Sequence, residues 1–262
     1  MTAYEKVMAA RDANKLTSVD YIAHMFGDSF IELHGDRRYA DDKAVVAGLA
    51  MLFDTPVTVI GIEKGRNTKE RVERNFGQAH PEGYRKALRL MKQAEKFRRP
   101  VLCLVDTSGA YPGIGAEERG QGQAIAENLM EMMTLKTPVL TVLIGEGGSG
   151  GALALAVADR VWMLQNAVYS VISPEGCASI LWKDAAKAQT AAESLKLTAE
   201  DAKSLGVIER ILSEKDIGQK EFYDRIRTLL IREIDVLTND LDLVGHRYDR
   251  FRNIGVSAVI KE

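Results

Sequence analysis

The feature that most constrains this chain is a run of glycines directly after an apolar segment. Residues 139–144 (VLTVLI) are typical of a buried strand, and residues 145–154 (GEGGSGGALA) then hold five glycines before a segment of small residues. This pattern predicts a strand that ends in a glycine turn and opens a helix. Backbone N–H groups in the first helical turn lack partners within the helix, so they can bind an oxyanion. We therefore expect the chemistry of the chain at residues 145–154.

A second glycine-rich loop follows the preceding predicted strand. Residues 101–105 (VLCLV) form an uninterrupted apolar run, typical of a strand buried on both faces, and residues 106–115 (DTSGAYPGIG) come directly after it. Two successive strand–loop–helix units place their loops at the same edge of a sheet, where ligands of open α/β folds bind. The sequence thus predicts one site built from both loops.

Other patterns indicate the elements around these loops. Residues 44–53 and 57–62 predict two strands joined as a hairpin, and residues 81–97 and 116–133 predict helices. The segment before Leu33 is expected to continue helically after a break near residue 27.

The chain divides into three expected segments. Residues 1–35 are a helical N-terminal segment, residues 36–215 form the α/β domain, and residues 216–262 hold a C-terminal amphipathic helix and a tail. The apolar stripe of residues 219–238 is typical of core or a subunit interface, because its charges are mixed in sign as those of membrane-binding helices are not. From Gly245 onward the tail is polar, and no pattern specifies its structure.

Composition limits the classes of partner. With 46% hydrophobic and 27% charged residues, the 262-residue chain is globular, and its net charge of −2 gives no electrostatic reason to expect nucleic acid or a membrane. Cys103 and Cys177 match no metal-binding spacing and suggest a reducing compartment. The first residues lack the pattern of a signal peptide, and no apolar run reaches about 18 residues. We expect a cytoplasmic protein.

Several long motifs carry a resemblance to one family. In their order along the chain, the motifs resemble the carboxyltransferase alpha subunit of bacterial acetyl-CoA carboxylase from about residue 17 to about residue 215. The motifs are residues 32–37 (ELHGDR), 64–70 (KGRNTKE), 75–77 (NFG), 81–91 (PEGYRKALRLM), 109–113 (GAYPG), 115–121 (GAEERGQ), 145–154 and 169–183 (YSVISPEGCASILWK).

The resemblance implies a fold and a reaction. The fold is α/β and crotonase-like (ClpP/crotonase), with repeated strand-strand-helix units and flanking helices. The reaction moves the carboxyl group of carboxybiotin, held on a biotin carboxyl carrier protein, to acetyl-CoA. Its product, malonyl-CoA, is made in the first committed step of fatty acid synthesis.

The resemblance also implies partners. The family's usual assembly is an α2β2 heterotetramer in which a beta subunit of the same fold carries a zinc ribbon and shares the site. This chain has no Cys-x-x-Cys motif, which agrees with the alpha role. We therefore expect zinc only in the beta subunit, no metal in this chain and no covalently bound cofactor.

Candidate catalytic residues follow from the same resemblance. Negative charge develops on the thioester oxygen of acetyl-CoA and on the ureido oxygen of biotin, and one lost donor of this kind costs about 100- to 1000-fold in rate. This chain is expected to supply the biotin-facing hole and the wall opposite it. The residues of the hole are Gly150, Gly151 and Ala152, and those of the wall are Gly109, Ala110 and Gly113. Biotin's own nitrogen can accept the acetyl proton, so no side-chain base is required.

Substrate contacts are less well specified. Residues 63–74 hold five basic and three acidic side chains just beyond a predicted strand end. They form either a solvated loop or a cradle for phosphate or the coenzyme A nucleotide. The candidates for contact with coenzyme A or biotin are Lys64, Arg66, Lys69 and Tyr111, although residues 111–113 could be only a tight turn.

Two departures from the family pattern stand out. Ser108 occupies a position where the family usually has proline, which puts the shape of that loop in doubt. The chain also begins later than many family members, so contacts made by a longer N-terminal arm are expected to be absent.

Other activities compete with this interpretation. Residues 147–151 (GGSGG) satisfy Gly-x-Ser-x-Gly, so a crotonase-fold serine hydrolase using Ser149 is the main alternative. The one histidine that follows it in the chain, His246, lies in the weakly specified tail. An enoyl-CoA hydratase, which needs two facing carboxylates, and a noncatalytic scaffold subunit are further alternatives. Glu117 and Glu118 are adjacent on a predicted helix and point about 100° apart, so we assign them no catalytic role.

Overall fold

The computed structural model of the chain describes residues 1–256. Eight strands form a single sheet, and helices pack around it. In chain order the elements are α1 (Ala3–Ala10), α2 (Ser18–Phe26), β1 (Ile31–Glu32), β2 (Val45–Leu52), β3 (Thr55–Ile62), α3 (Thr68–Glu73), α4 (Pro81–Lys96), β4 (Val101–Thr107), α5 (Ile114–Glu118), α6 (Gln121–Thr134), β5 (Val139–Gly148), α7 (Ser149–Leu153), β6 (Arg160–Leu164), β7 (Val168–Ser170), α8 (Pro174–Trp182), α9 (Ala188–Ser194), α10 (Ala199–Ser204), β8 (Arg210–Leu212), α11 (Lys220–Thr238) and α12 (Leu243–Arg252).

The sheet combines an antiparallel hairpin with a parallel core. Its order is β1-β2-β3-β4-β5-β6-β8, and β7 pairs with the far end of β5. Strands β2 and β3 are the predicted hairpin, and β1 adds to β2 in antiparallel fashion. From β3 to β8 every pairing is parallel, so β4 and β5 end at the same edge of the sheet.

The core lies around the two central strands. All seven residues of β4 are buried, as are all but the last of β5, in agreement with their uninterrupted apolar sequences. Helix α4 packs against α6, β2 and β3, and α2 packs against β2, β3 and α11. Burial on both faces makes the carboxyl ends of β4 and β5 a rigid base for the loops that follow.

The structure differs from the expected elements in three places. The segment before Leu33 is not helical throughout, because Phe30 leads from a short 3₁₀ turn into β1. The helix expected over residues 116–133 is two helices, α5 and α6, since Gly120 adopts a left-handed φ of 84° between them. Strand β5 extends through the first glycines to Gly148 because β7 pairs there.

The tail beyond Gly245 is more ordered than its sequence indicates. Residues 243–252 form α12, and the calls on the end of the tail, residues 257–262, lie outside the described residues. Arg247 of α12 is buried, and its guanidinium donates to both carboxylate oxygens of Asp159 at 2.8 Å. It also donates to three main-chain carbonyls, which satisfies all five guanidinium N–H groups. This contact anchors α12 to the turn before β6.

Among residues 1–256, no helix is both long enough and apolar enough to cross a membrane.

Candidate active site

The two glycine loops lie directly against each other. A Cβ atom on Gly151 would lie 2.5 Å from the backbone nitrogen of Ala110 and 2.6 Å from the carbonyl carbon of Gly109. A Cβ on Gly148 would likewise overlap the backbone of Ser108. Only glycine permits main chains to approach this closely. The predicted meeting of both loops at one sheet edge is therefore confirmed.

The first turn of α7 presents backbone donors next to this contact. Gly150 and Gly151 are in the first turn, where N–H groups have no acceptor within the helix. Ala152 is the first residue whose N–H can reach a carbonyl four residues back, that of Gly148. Gly150 is half-buried, whereas Gly151 and Ala152 are buried. Among the three predicted donors, Gly150 is thus the residue most open to a ligand.

The facing wall is held in shape by its own hydrogen bonds. Gly109 is buried with φ of 148°, and its N–H donates to the hydroxyl of Thr107 at 3.1 Å. The same hydroxyl donates to the carbonyl of Gly109 at 2.8 Å. Ser108, which replaces the usual proline, accepts a hydrogen bond from the side-chain amide of Gln78 at 3.1 Å. The serine is therefore tied into the wall by its side chain.

Tyr111 and Gly113 form the outer part of this wall. The ring of Tyr111 stacks on His80 with centroids 4.3 Å apart, and its backbone N–H donates to the carbonyl of Ala79 at 3.1 Å. A Cβ on Gly113 would overlap the tyrosine ring, so this glycine leaves room for it. Tyr111 and Gly113 are both half-buried at the loop.

A chain of alternating charges lies beneath the loops. The ammonium of Lys64 is 2.8 Å from carboxylate oxygens of both Asp106 and Glu146. Lys15 contacts the other oxygen of Asp106 at 2.9 Å, and Arg11 contacts Glu146 at 2.7 Å. Arg11 continues to Glu175 at the start of α8 at 2.9 Å. Three cations and three carboxylates thus join the N-terminal segment to the ends of β3, β4 and β5 and to α8.

This network also holds the backbone of the glycine stretch. The N–H of Glu146 donates to a carboxylate oxygen of Asp106 at 2.9 Å, which links β5 to β4 where their register shifts. Burial alone would raise the pKa of Asp106, but the charges of Lys15 and Lys64 outweigh burial and hold that pKa at about 2. The same balance, with Lys64 and Arg11, lowers the pKa of Glu146. Both carboxylates are therefore ionised at neutral pH.

The three basic candidates for substrate contact have different surroundings. Lys64 is largely buried in the network, with both of its carboxylate partners in contact. Arg66 is exposed and paired with Asp20, and Lys69 is exposed on the first turn of α3. The structure does not bring these three cations together around one phosphate-sized space.

Two cavities flank the glycine loops. One of about 200 Å³ lies over the network and is lined by Lys15, Lys64 and Ser108, among others. The other, of about 310 Å³, borders Ser149 and Gly150; its remaining walls are mainly the side chains of Leu153, Tyr169, Val171 and Val207. We call this second cavity the apolar depression. It places an apolar surface beside the exposed end of α7.

Residues of the network that sequence reasoning missed are Arg11, Lys15, Asp106, Glu146 and Glu175. Arg11 is 135 residues from Glu146 in the chain, and Lys15 is 91 from Asp106. No local periodicity reports such pairs. The one usable signal was charge placement, since Asp106 and Glu146 are acidic residues within or directly after apolar runs, where a charge requires a partner.

Ser149 has no histidine to activate it among the described residues. It is exposed, with a left-handed φ of 50°. The four histidines contact other groups: His24 stacks on Tyr223, His34 bonds Asp41, His80 bonds Asn75, and His246 bonds Asp240. The serine hydrolase alternative is therefore not supported.

No three histidine, cysteine, aspartate or glutamate side chains within residues 1–256 are grouped so as to hold a metal ion.

Solved structures define the fold class of this chain. Transcarboxylase 12S, solved with methylmalonyl-coenzyme A and methylmalonic acid bound, matches with a TM-score of 0.69 at 21% identity. The match covers 84% of this chain and 42% of that one, so this chain spans less than half of it. A Pseudomonas malonate decarboxylase hetero-tetramer, solved with coenzyme A, matches with a TM-score of 0.72 at 18% identity, over 94% and 99% of the chains. The crotonase-like α/β fold is confirmed.

The family follows from closer relatives. The chain belongs to the acetyl co-enzyme A carboxylase carboxyltransferase-like family, whose model matches residues 1–255. It is 60% identical over 258 residues to the acetyl-coenzyme A carboxylase carboxyl transferase subunit alpha of Ruminiclostridium cellulolyticum, covering 98% of this chain and 99% of that protein. The protein of the same name from Streptococcus equi subsp. zooepidemicus is 59% identical over 93% of this chain and 95% of its own.

Proposed function

We propose that this chain is the alpha subunit of an acetyl-CoA carboxylase carboxyltransferase. It acts in the transfer of the carboxyl group from carboxybiotin to acetyl-CoA, which yields malonyl-CoA for fatty acid synthesis. The observation that carries this proposal is the 60% identity to an alpha subunit of that name, which extends over 98% of this chain and 99% of the relative.

The charge changes of the reaction fit the glycine loops. Carboxyl transfer leaves negative charge on the ureido oxygen of biotin and produces an enolate oxygen from the thioester, and each oxyanion is stabilised by preorganised N–H donors. Gly150 and Gly151 supply such donors in the first turn of α7, supported by the packing of Gly151 on Ala110. Gly109, Ala110 and Gly113 keep the opposite wall close. Ala152, which is buried, orients this turn.

The apolar depression suits the rest of the biotin group. Biotin carries a fused ring and an aliphatic chain beside its ureido oxygen, so a site for it needs an apolar surface next to N–H donors. Leu153 and Val171 line the depression that borders Gly150. In this arrangement biotin is held by the carrier protein, and this chain holds no covalent cofactor.

The beta subunit completes the site. The name "subunit alpha" of the relatives implies a second subunit, and we propose a zinc-ribbon beta subunit in an α2β2 assembly that binds acetyl-CoA opposite this chain. Exposed apolar side chains in and beside α8 support a partner surface there: Val171, Ile180 and Leu181 are 75%, 61% and 62% exposed. The assembly works in the cytoplasm and requires neither membrane nor nucleic acid.

The reverse reaction tests this proposal. Malonyl-CoA decarboxylation with biocytin as acceptor would be measured with this chain alone, with a zinc-ribbon beta subunit alone and with the mixture. Activity confined to the mixture supports a shared carboxyltransferase site. A mixture that forms the complex but lacks activity would contradict the proposal.

A surface variant gives a second readout. Leu181→Asp on exposed α8 leaves the core untouched and is expected to weaken complex formation, as measured by sedimentation. Val236→Asp is the matched control, because Val236 is 61% exposed on α11. Equal complex formation by both variants would place the partner surface elsewhere.

A further inference from the structure

The loop of residues 34–40 and the exposed side of α4 form a basic groove. A cavity of about 500 Å³ lies between this loop, α4 and α6. Its walls carry five cationic side chains against three carboxylates, and Leu88 is the one apolar residue among them. The loop contains most of the ELHGDR motif, to which the proposed carboxyl transfer assigns no role.

Two arginines in this groove lack carboxylate partners. Within residues 1–256, no carboxylate lies within 4.0 Å of the guanidinium of Arg37 or of Arg89, whereas neighbouring Arg85 is paired with Asp36 at 2.7 Å. Arg37 and Arg89 instead donate to one shared acceptor, the carbonyl oxygen of His34, at 2.9 and 3.2 Å. The two positive charges are therefore held side by side.

This arrangement is electrostatically unfavourable in the free protein. Burial lowers the pKa of Arg89, and the positive charge of Arg37 lowers it further. Arg85 and Arg89 are four residues apart on α4, where like charges destabilise a helix, and Lys92 extends the same face. Arg37 also adopts a left-handed φ of 65°, which is uncommon for a side chain of this size. A bound anion would relieve the repulsion.

The size and donors of the groove indicate the class of anion. Each guanidinium still has N–H groups free of protein acceptors, because Arg37 uses one nitrogen and Arg89 uses two in the described contacts. Forked guanidinium donors match the oxygens of phosphate groups. Ligand sites occupy roughly 300–1,000 Å³, so the groove is larger than an inorganic ion requires. The near absence of apolar walls disfavours an acyl chain.

We propose that the groove between Arg37 and Arg89 binds the phosphate groups of a small phosphorylated metabolite. The site is separate from the glycine loops, and its occupancy does not depend on the carboxyl transfer proposed above. Two sources share this chemistry, the diphosphate of a nucleoside diphosphate and the phosphates of coenzyme A.

Calorimetric titration of the full chain tests the proposal, with inorganic pyrophosphate as the probe. We expect saturable binding that weakens at higher salt, because the charges are partly exposed. Arg37→Gln and Arg89→Gln should each weaken binding by about tenfold or more, since each removes charge-assisted hydrogen bonds. Arg232→Gln, an exposed arginine on α11, removes the same charge elsewhere and should bind as the wild type does. Thermal melting confirms that all variants are folded.

Competition identifies the source and the failures. ADP or coenzyme A that displaces pyrophosphate from the wild type but not from Arg89→Gln supports the site and names the class. Three results would overturn the proposal: no binding of pyrophosphate at millimolar concentration, equal binding by the groove variants and Arg232→Gln, or displacement by an acidic peptide with no affinity for pyrophosphate.

Discussion

A methyl group on Gly151 would lie 2.5 Å from the backbone nitrogen of Ala110, so these two residues set the separation of the glycine loops. Because the neighbour is main chain and not a flexible side chain, Gly151→Ala must push the loops apart. We expect a loss of about 1–3 kcal/mol in the free energy of unfolding.

Urea denaturation measures this loss, with Gly122→Ala as the control. A Cβ on Gly122 meets nothing within 4 Å, so that variant should be as stable as the wild type or slightly more so. Equal midpoints for the two variants would show that the loops separate without cost.

Asp106→Asn should be strongly destabilising at neutral pH. It leaves Lys15 and Lys64 with one carboxylate fewer in a buried network, and breaking such a pair costs about 3–5 kcal/mol. Glu73→Gln is the control, since its partner Lys43 is exposed and a surface pair contributes at most about 1 kcal/mol.

The same variant should change the acid dependence of stability. The pKa of Asp106 falls from 3.8 to about 2 on folding, so between these values the unfolded chain binds a proton that the folded chain does not. The contribution, about 2 kcal/mol, is present above pH 4 and is lost as the pH falls toward 2. The stability gap between wild type and Asp106→Asn should narrow over that range. A constant gap would contradict the assigned pKa.

Arg247→Met should detach α12. The substitution leaves the carboxylate of Asp159 buried without its bidentate partner, at a cost of about 3–5 kcal/mol. Arg252→Met, exposed on the same helix, should have little effect. Hydrogen exchange of residues 243–252 distinguishes the two: protection should fall for Arg247→Met, and unchanged protection would show that α12 is held by other contacts.

Ser149→Ala should retain carboxyl transfer. The hydroxyl has no histidine beside it, and the backbone N–H of the residue remains in the variant. We expect kcat within about twofold of the wild type in the malonyl-CoA–biocytin assay. A fall of 100-fold or more, or covalent labelling of Ser149 by a fluorophosphonate, would revive the nucleophile interpretation.

Much of the fold could be predicted because the decisive patterns are local. The uninterrupted apolar runs of β4 and β5, each followed by glycines, predict parallel strands with adjacent loops, and the structure agrees. The family motifs extended this to the crotonase-like class. The break at Gly120 and the pairing of β7 with β5 depend on φ values and partners that periodicity does not report.

The electrostatic part of the site could not be predicted in the same way. Lys64 looked like a free cation near a strand end, yet it lies between Asp106 and Glu146. Its pairing depends on residues 42 and 82 positions away. α12 escaped for the same reason, since Arg247 meets Asp159 across 88 residues. Local sequence states that a charge is present, and only the fold states which partner neutralises it.

The most direct test of the account is the turnover of malonyl-CoA with biocytin by complexes of the beta subunit with Gly151→Ala or Gly122→Ala. If the contact between the glycine loops positions the oxyanion donors, assembled Gly151→Ala should lose about 100-fold or more in kcat, while Gly122→Ala matches the wild type. An assembled Gly151→Ala complex with wild-type kcat would contradict the assignment of catalysis to these loops.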